Sequence, residues 1–97
     1  MDIVDWRDKI DEIDSRILEL LNKRADFCNK IGEIKAQRGI PIHSPDREKI
    51  IMERIQEANR GPLSNEGVRR IFERIIDESR KLEKDVAKAA QITQKEG

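Results

Sequence analysis

Between Ile3 and Arg38 the large apolar residues fall at Trp6, Ile10, Ile13, Ile17, Leu20, Phe27, Ile31 and Ile34, in alternating steps of four and three wherever the run is unbroken. That spacing keeps them on one stripe of an α-helix and predicts a seam facing another helix. No proline interrupts the stretch, and its first glycine is Gly32. The one missing step lands on Arg24. A guanidinium withdrawn from water opposes folding unless it is paired, so an anion is expected to meet it.

The helix is expected to begin near Asp2 or Val4, with Asp2 and Asp5 at the positive end of its dipole, and to stop at Arg38 with Gly39 as its cap. Pro41 forbids continuation, and Ser44-Pro45-Asp46 then supplies a hydroxyl N-cap, a proline at the first helical position and an acid at the second. The second helix is short, with Ile50, Ile51, Ile55 and Ala58 as its apolar stripe, and Asn59-Arg60-Gly61-Pro62 ends it. Ser64 and Glu66 open a third, whose stripe runs Val68, Phe72, Ile75, Ser79, Leu82, Val86 and Ala89, flanked by Ile71 and Ile76. Here too a polar residue, Ser79, interrupts the seam, and Glu83 lies one turn further along the same side. The expected fold is all-α, with one long, one short and one medium helix forming a single domain over residues 1–90 and a polar tail over 91–97.

A first helix of this length spans about 50 Å, whereas a compact domain of this size has a radius of gyration of about 12–13 Å. One chain cannot bury such a seam, so a homodimer is expected. Lys35 lies about 20° around the helix from Arg24 and roughly 16 Å along it, on the same face. Arg7 is about 100° away and roughly 25 Å back along the axis, so only a second, antiparallel copy could bring it to the same place.

Composition narrows the classes. The chain has 97 residues, 36% hydrophobic and 41% charged, a balance that would suggest disorder were the apolar positions not so periodic. Lys plus Arg and Asp plus Glu both number 20, so no net positive field gathers phosphates and nucleic acid is not the expected partner. With one cysteine, Cys28, and one histidine, His43, neither an intrachain disulfide nor a zinc site can be assembled, and a metal-free site is expected. The N-terminus has no unbroken apolar run of signal-peptide or membrane-span type, which points to a cytoplasmic protein with no membrane partner.

Arg24 on the first helix, Arg47 and Glu48 in the first turn of the second, and Ser79 with Glu83 on the third could all supply one pocket. Two arginines and a lysine converging on a water-poor cavity fit a small dicarboxylate, because guanidinium pairs with carboxylate through two parallel hydrogen bonds. No nucleophile with an adjacent base is present, so catalysis would rest on positioning and electrostatics, which suits a unimolecular rearrangement. Taken singly, each residue has a plainer reading. Arg7, Lys35 and Arg47 would be solvated cations, and Glu48 an acid suited to a helix N-terminus. Ser79 would permit close helix packing, Glu83 would pair with Arg80 one turn earlier, and Cys28 would be a small buried hydrophobe. Only the constellation points to chemistry.

The run WRDKIDEIDSRILELLNKRADFCNKIGEIKAQRGIPIHSPDREKII, followed by IFERIIDESRKLEKD, resembles the all-helical class of chorismate mutase over roughly residues 5 to 85. The likeness includes an R-x-x-I-D-x-I-D opening, the Arg24 and Lys35 pair and Asp46-Arg47-Glu48. It implies an intertwined homodimer that converts chorismate to prephenate by a Claisen-type rearrangement, on the route to phenylalanine and tyrosine, with no cofactor. By position, Arg24 and the other subunit's Arg7 would clamp the carboxylates, and Lys35 would reach the side-chain carboxylate and the ether oxygen. Glu48 would accept from the ring hydroxyl, Ser79 would touch the ring carboxylate and Arg47 would support the polar network. Glu83 would stand beside the ether oxygen, with Ile31 and Ile76 as apolar walls.

Two positions depart from the bacterial pattern: Ser44 where aspartate is frequent, and Glu83 where glutamine is frequent. A glutamate can donate to an ether oxygen only when protonated, so activity is expected to decline with rising pH. An isochorismate pyruvate lyase shares this scaffold and a similar clamp, and a chorismate- or prephenate-sensing domain is a further alternative. The segment KDVAKAAQITQKEG reads as a linker, compatible with fusion to another shikimate-pathway enzyme.

Overall fold

The computed structural model describes the backbone of residues 1–96 and the side chains of residues 1–90. Three helices, α1 (Ile3–Arg38), α2 (Pro45–Ala58) and α3 (Asn65–Glu96), make up the chain, with no strand among the described residues. Each boundary has a local cause. Asp2 caps α1, its carboxylate accepting from the Ile3 N–H at 2.6 Å while Asp5 accepts from the Asp2 N–H at 2.8 Å. Gly39 ends the helix at φ 65°, a left-handed conformation that costs glycine little, and the Ile40 N–H returns to the Lys35 carbonyl at 2.9 Å. Ser44 caps α2 by accepting from the Arg47 N–H at 3.4 Å, with Pro45 at the first helical position.

Asn59 shapes the α2–α3 turn. Its side-chain N–H donors reach the Leu63 carbonyl at 2.9 Å and Asn65 Oδ1 at 2.8 Å, and its own oxygen accepts from the Gly61 N–H at 3.0 Å. Ser64 then accepts from the Gly67 N–H at 3.0 Å and starts α3. The helix continues past residue 90 to Glu96. The polar tail expected over residues 91–97 falls on side chains, and in Gly97 on a residue, that lie outside the described ones.

α1 and α2 both pack on α3, and among the described residues they do not pack on each other. The buried apolar residues are Cys28 on α1, Ile51 on α2, and Val68 and Ile76 on α3. Ile50, assigned to the buried stripe of α2 from its spacing, is exposed, and Met52 on the opposite flank is half-buried in its stead. α3 meets a narrow face of α1 bearing Ala25, Cys28, Gly32 and Ala36. The small residues let the two backbones approach closely: a Cβ added at Gly32 would lie 3.0 Å from Glu83 Cα and 3.1 Å from the Glu83 carbonyl oxygen. A valine there must push the helices apart, so Gly32→Val is expected to cost about 1–3 kcal/mol, read as a lower denaturation midpoint.

The apolar seam of α1 is left uncovered. Every residue from 1 to 23 is exposed, Trp6 at 54% and Phe27 further along at 63%. The chain measures 61 × 27 × 14 Å with a radius of gyration of 17.3 Å, well beyond the value of about 12.5 Å for a compact domain of this length. No helix among the described residues is long and apolar enough to cross a membrane.

Candidate active site

A cavity of about 630 Å³ opens where the C-terminal half of α1, the first turns of α2 and the middle of α3 converge. Arg24 and Lys35 line it from α1, Ser44, Arg47 and Glu48 from the start of α2, and Ser79 and Glu83 from α3. Ile31 and Ile76, named as apolar walls, line it as well. The site residues read from the sequence are thus brought together with the exception of Arg7, which sits on the exposed N-terminal half of α1, outside this cavity of its own chain.

Arg24 is half-buried and donates through Nη1 to Ser79 Oγ, with Cys28 Sγ 3.8 Å away. The serine hydroxyl in turn donates to the Ile75 carbonyl at 2.8 Å, one turn back along α3. Among the described residues no carboxylate lies within ion-pair distance of Arg24. Its charge, removed from much of its water, is solvated by a hydroxyl that cannot neutralise it, which is the condition of a guanidinium awaiting an anion.

Lys35 is tied on two sides. Its Nζ donates to the Ile42 carbonyl at 3.0 Å, which anchors the α1–α2 connection, and lies 3.0 Å from Glu83 Oε1. The second contact brings the charges together outside hydrogen-bond alignment, since Oε1 has no aligned donor. Both side chains are largely withdrawn from solvent, at 17% and 12% exposure. Gly32 permits this pairing by letting the α3 backbone at Glu83 come down on α1 only one turn before Lys35.

The surface pair expected between Glu83 and Arg80 does not form. Arg80 Nη2 bonds Glu48 Oε1 across to α2 at 2.7 Å, and Nη1 lies 3.6 Å from Asp77 on its own helix. The hydrogen bond to Glu48, opposed in part by desolvation, holds the Arg80 guanidinium above its ordinary value. His43, read as a plain loop residue, places Nε2 3.4 Å from the other Glu48 oxygen, and both His43 and Arg80 line the cavity. Sequence spacing could not announce the Arg80 contact, because Arg80 and Glu48 are 32 positions apart and meet only when α2 packs on α3; the His43 contact is a local one across the N-cap of α2.

Four permanent cations, Arg24, Lys35, Arg47 and Arg80, face two carboxylates, Glu48 and Glu83, around one cavity. The excess of positive charge equals the charge of a dicarboxylate with its sign reversed. The apolar residues Phe27, Ile51 and Ile76 among them suit a ligand with a carbon ring and charged groups at its edges.

A family model for chorismate mutase type II matches residues 6–84. The chorismate mutase of Methanocaldococcus jannaschii is 37% identical over 90 residues, an alignment that covers 92% of this chain and 91% of that protein. The bifunctional chorismate mutase/prephenate dehydratase of Neisseria gonorrhoeae is 41% identical over 76 residues, covering 78% of this chain. The chain spans 20% of the length of that protein and 25% of the corresponding bifunctional protein of Aquifex aeolicus. A solved structure of chorismate mutase (form II) from Thermus thermophilus superposes with a TM-score of 0.83 at 30% identity, over 84% of this chain and 93% of that one.

Proposed function

The chain belongs to the type II chorismate mutase family, and from that membership we propose that it converts chorismate to prephenate as a cytoplasmic, cofactor-free homodimer with a site for each copy. In this rearrangement the ether C–O bond breaks as a new C–C bond forms, within one molecule and with no group to transfer. The protein's task is to hold the reactive conformer and to place cations where negative charge develops. The observation that carries this reading is Arg24, a half-buried guanidinium with no carboxylate partner among the described residues, in a cavity whose cations outnumber its anions.

Arg24 binds one carboxylate and Ser79, already bonded to it, touches the ring carboxylate. Lys35 serves the side-chain carboxylate and the ether oxygen, with Glu83 beside it; Glu48 accepts from the ring hydroxyl, and Arg47 and Ser44 complete the polar rim. Arg7 enters from a second copy whose α1 covers the exposed seam, which supplies both the missing apolar contact and the clamp's second arginine. The same domain is compatible with life as one part of a longer bifunctional protein.

The deciding assay offers chorismate and, separately, isochorismate to the purified protein and quantifies both prephenate and pyruvate at the end, with the oligomeric state measured by sedimentation. Prephenate without pyruvate, from a dimer, is the expected result. Pyruvate from isochorismate with little prephenate would assign the cavity to a lyase, and a folded protein that turns over neither would be a sensing domain. A Glu83→Gln variant carries an N–H donor toward the ether oxygen without a charge, so it is expected to turn chorismate over at least as fast as the parent; a large loss of kcat would remove Glu83 from its place beside the ether oxygen.

A further inference from the structure

We propose that Arg80 is a positioning residue: its bond across the α2–α3 interface holds the Glu48 carboxylate in the orientation that receives the ligand's hydroxyl. This rests on the reading of Glu48 as the hydroxyl acceptor. The cations that take the carboxylates, Arg24 and Lys35, ride on α1, whereas Glu48 rides on α2. Among the described residues α1 and α2 do not pack on each other, so the distance from clamp to acceptor is set by α3, on which both pack, and by the short connection that Lys35 ties down at Ile42. Buried Ile51 and Ile76 fix the spacing of α2 and α3, but apolar packing leaves a carboxylate free to rotate about its own side-chain bonds. The orientation must come from a polar contact.

Arg80 provides it. Its Nη2 takes Oε1 of Glu48 at 2.7 Å, a charge-assisted bond of the short kind, while Asp77 at 3.6 Å steadies the other arm of the guanidinium. Oε1 being occupied, Oε2 is the oxygen that receives a hydroxyl, beside His43, whose Nε2 lies 3.4 Å from it. The Glu48 carboxylate is thereby held in one orientation before any ligand arrives, so less rotamer freedom is lost on binding. Arg80 also cancels the Glu48 charge locally, which keeps the carboxylate from competing with the ligand's anionic groups for Arg24 and Lys35.

The test is a double-mutant cycle on the full chain, comparing Arg80→Met, Glu48→Met and the double variant for kcat, KM and calorimetric affinity for prephenate. Arg80→Met is expected to raise KM and weaken prephenate binding by about tenfold, with a smaller fall in kcat, as suits lost ground-state positioning. Arg80→Lys, which retains a donor and a charge at that end of the side chain, should recover most of the loss. The discriminating result is that Arg80→Met adds nothing once Glu48 has been replaced by methionine, which has no oxygen for Arg80 to hold. An equal cost in both backgrounds would overturn the proposal, since it would mean that Arg80 touches the ligand itself or acts elsewhere. An Arg80→Met protein with unaltered KM and prephenate affinity would overturn it as well, leaving the function proposed for the site untouched. If Glu48→Met alone were without effect, the acceptor role would fall and the role of Arg80 with it. Should the parent chain turn over no chorismate, the mutase reading fails while the prephenate affinities decide the cycle unaided.

Discussion

Replacing Arg24 with alanine is expected to lower kcat/KM by roughly 10² to 10³-fold, the range for removing one charged contact that strengthens in the transition state. The same change should leave the fold intact, and the sign of its stability effect follows from the contacts of Arg24. The side chain gives up its hydrogen bond to Ser79, a weak one to Cys28 Sγ, and no ion pair among the described residues, while its burial without a counter-charge already opposes folding. The net change in unfolding free energy is therefore within about 1 kcal/mol of zero. Kinetics together with a denaturant titration checks both halves. A large loss of activity at constant midpoint identifies a guanidinium kept for its ligand, and a folded Arg24→Ala protein with normal turnover would remove the central claim. Arg24→Lys should recover little, because a point charge cannot reproduce a two-armed bond to a carboxylate.

Lys35→Met should be as damaging to turnover, again roughly 10² to 10³-fold, and unlike Arg24→Ala it should also destabilise. Lys35 faces Glu83 at 3.0 Å with both side chains largely withdrawn from water. Deleting the lysine strands a carboxylate there, at a cost of about 2–4 kcal/mol, and also frees the Ile42 carbonyl that anchors the loop before α2. The two losses separate in the double variant Lys35→Met/Glu83→Gln. Neutralising Glu83 removes the stranded charge, so much of the stability should return, whereas the donor to the substrate stays absent and turnover should stay low. Recovery of both together would mean that Lys35 matters to the site only through folding.

Four helix ends were legible because each is written in a few adjacent residues: Asp2 with Asp5, Arg38 with Gly39, Ser44 with Pro45, Ser64 before Asn65; the end of α3 was not, the backbone continuing to Glu96. Cap chemistry is local and survives whatever the rest of the chain does. The α1 seam was also legible as a stripe, but periodicity in large apolar residues does not say which helix a stripe serves. α3 packs on a different face, whose Ala25, Cys28, Gly32 and Ala36 are chosen for smallness and so contribute little to an apolar pattern. Ile50 misled for a related reason: next to Ile51, it could claim the buried stripe equally well on hydrophobicity, and only the direction from which α3 approaches separates them. In the site, Arg24 announced itself by breaking a seam. Arg80 broke no pattern, and its grip on Glu48 is a product of tertiary packing that no local spacing encodes.

The exposed face of α1 has an optical consequence. The sequence contains one tryptophan, Trp6, and no tyrosine. That indole stands on the uncovered seam, 54% exposed and adjacent in sequence to Arg7. The ultraviolet fluorescence of the chain is thus dominated by a single point on the surface where a second copy would lie, and indole emission moves to shorter wavelength as water leaves the ring. The protein carries an unlabelled gauge of whether its long helix is wet or covered, placed beside the arginine proposed to enter a second copy's site.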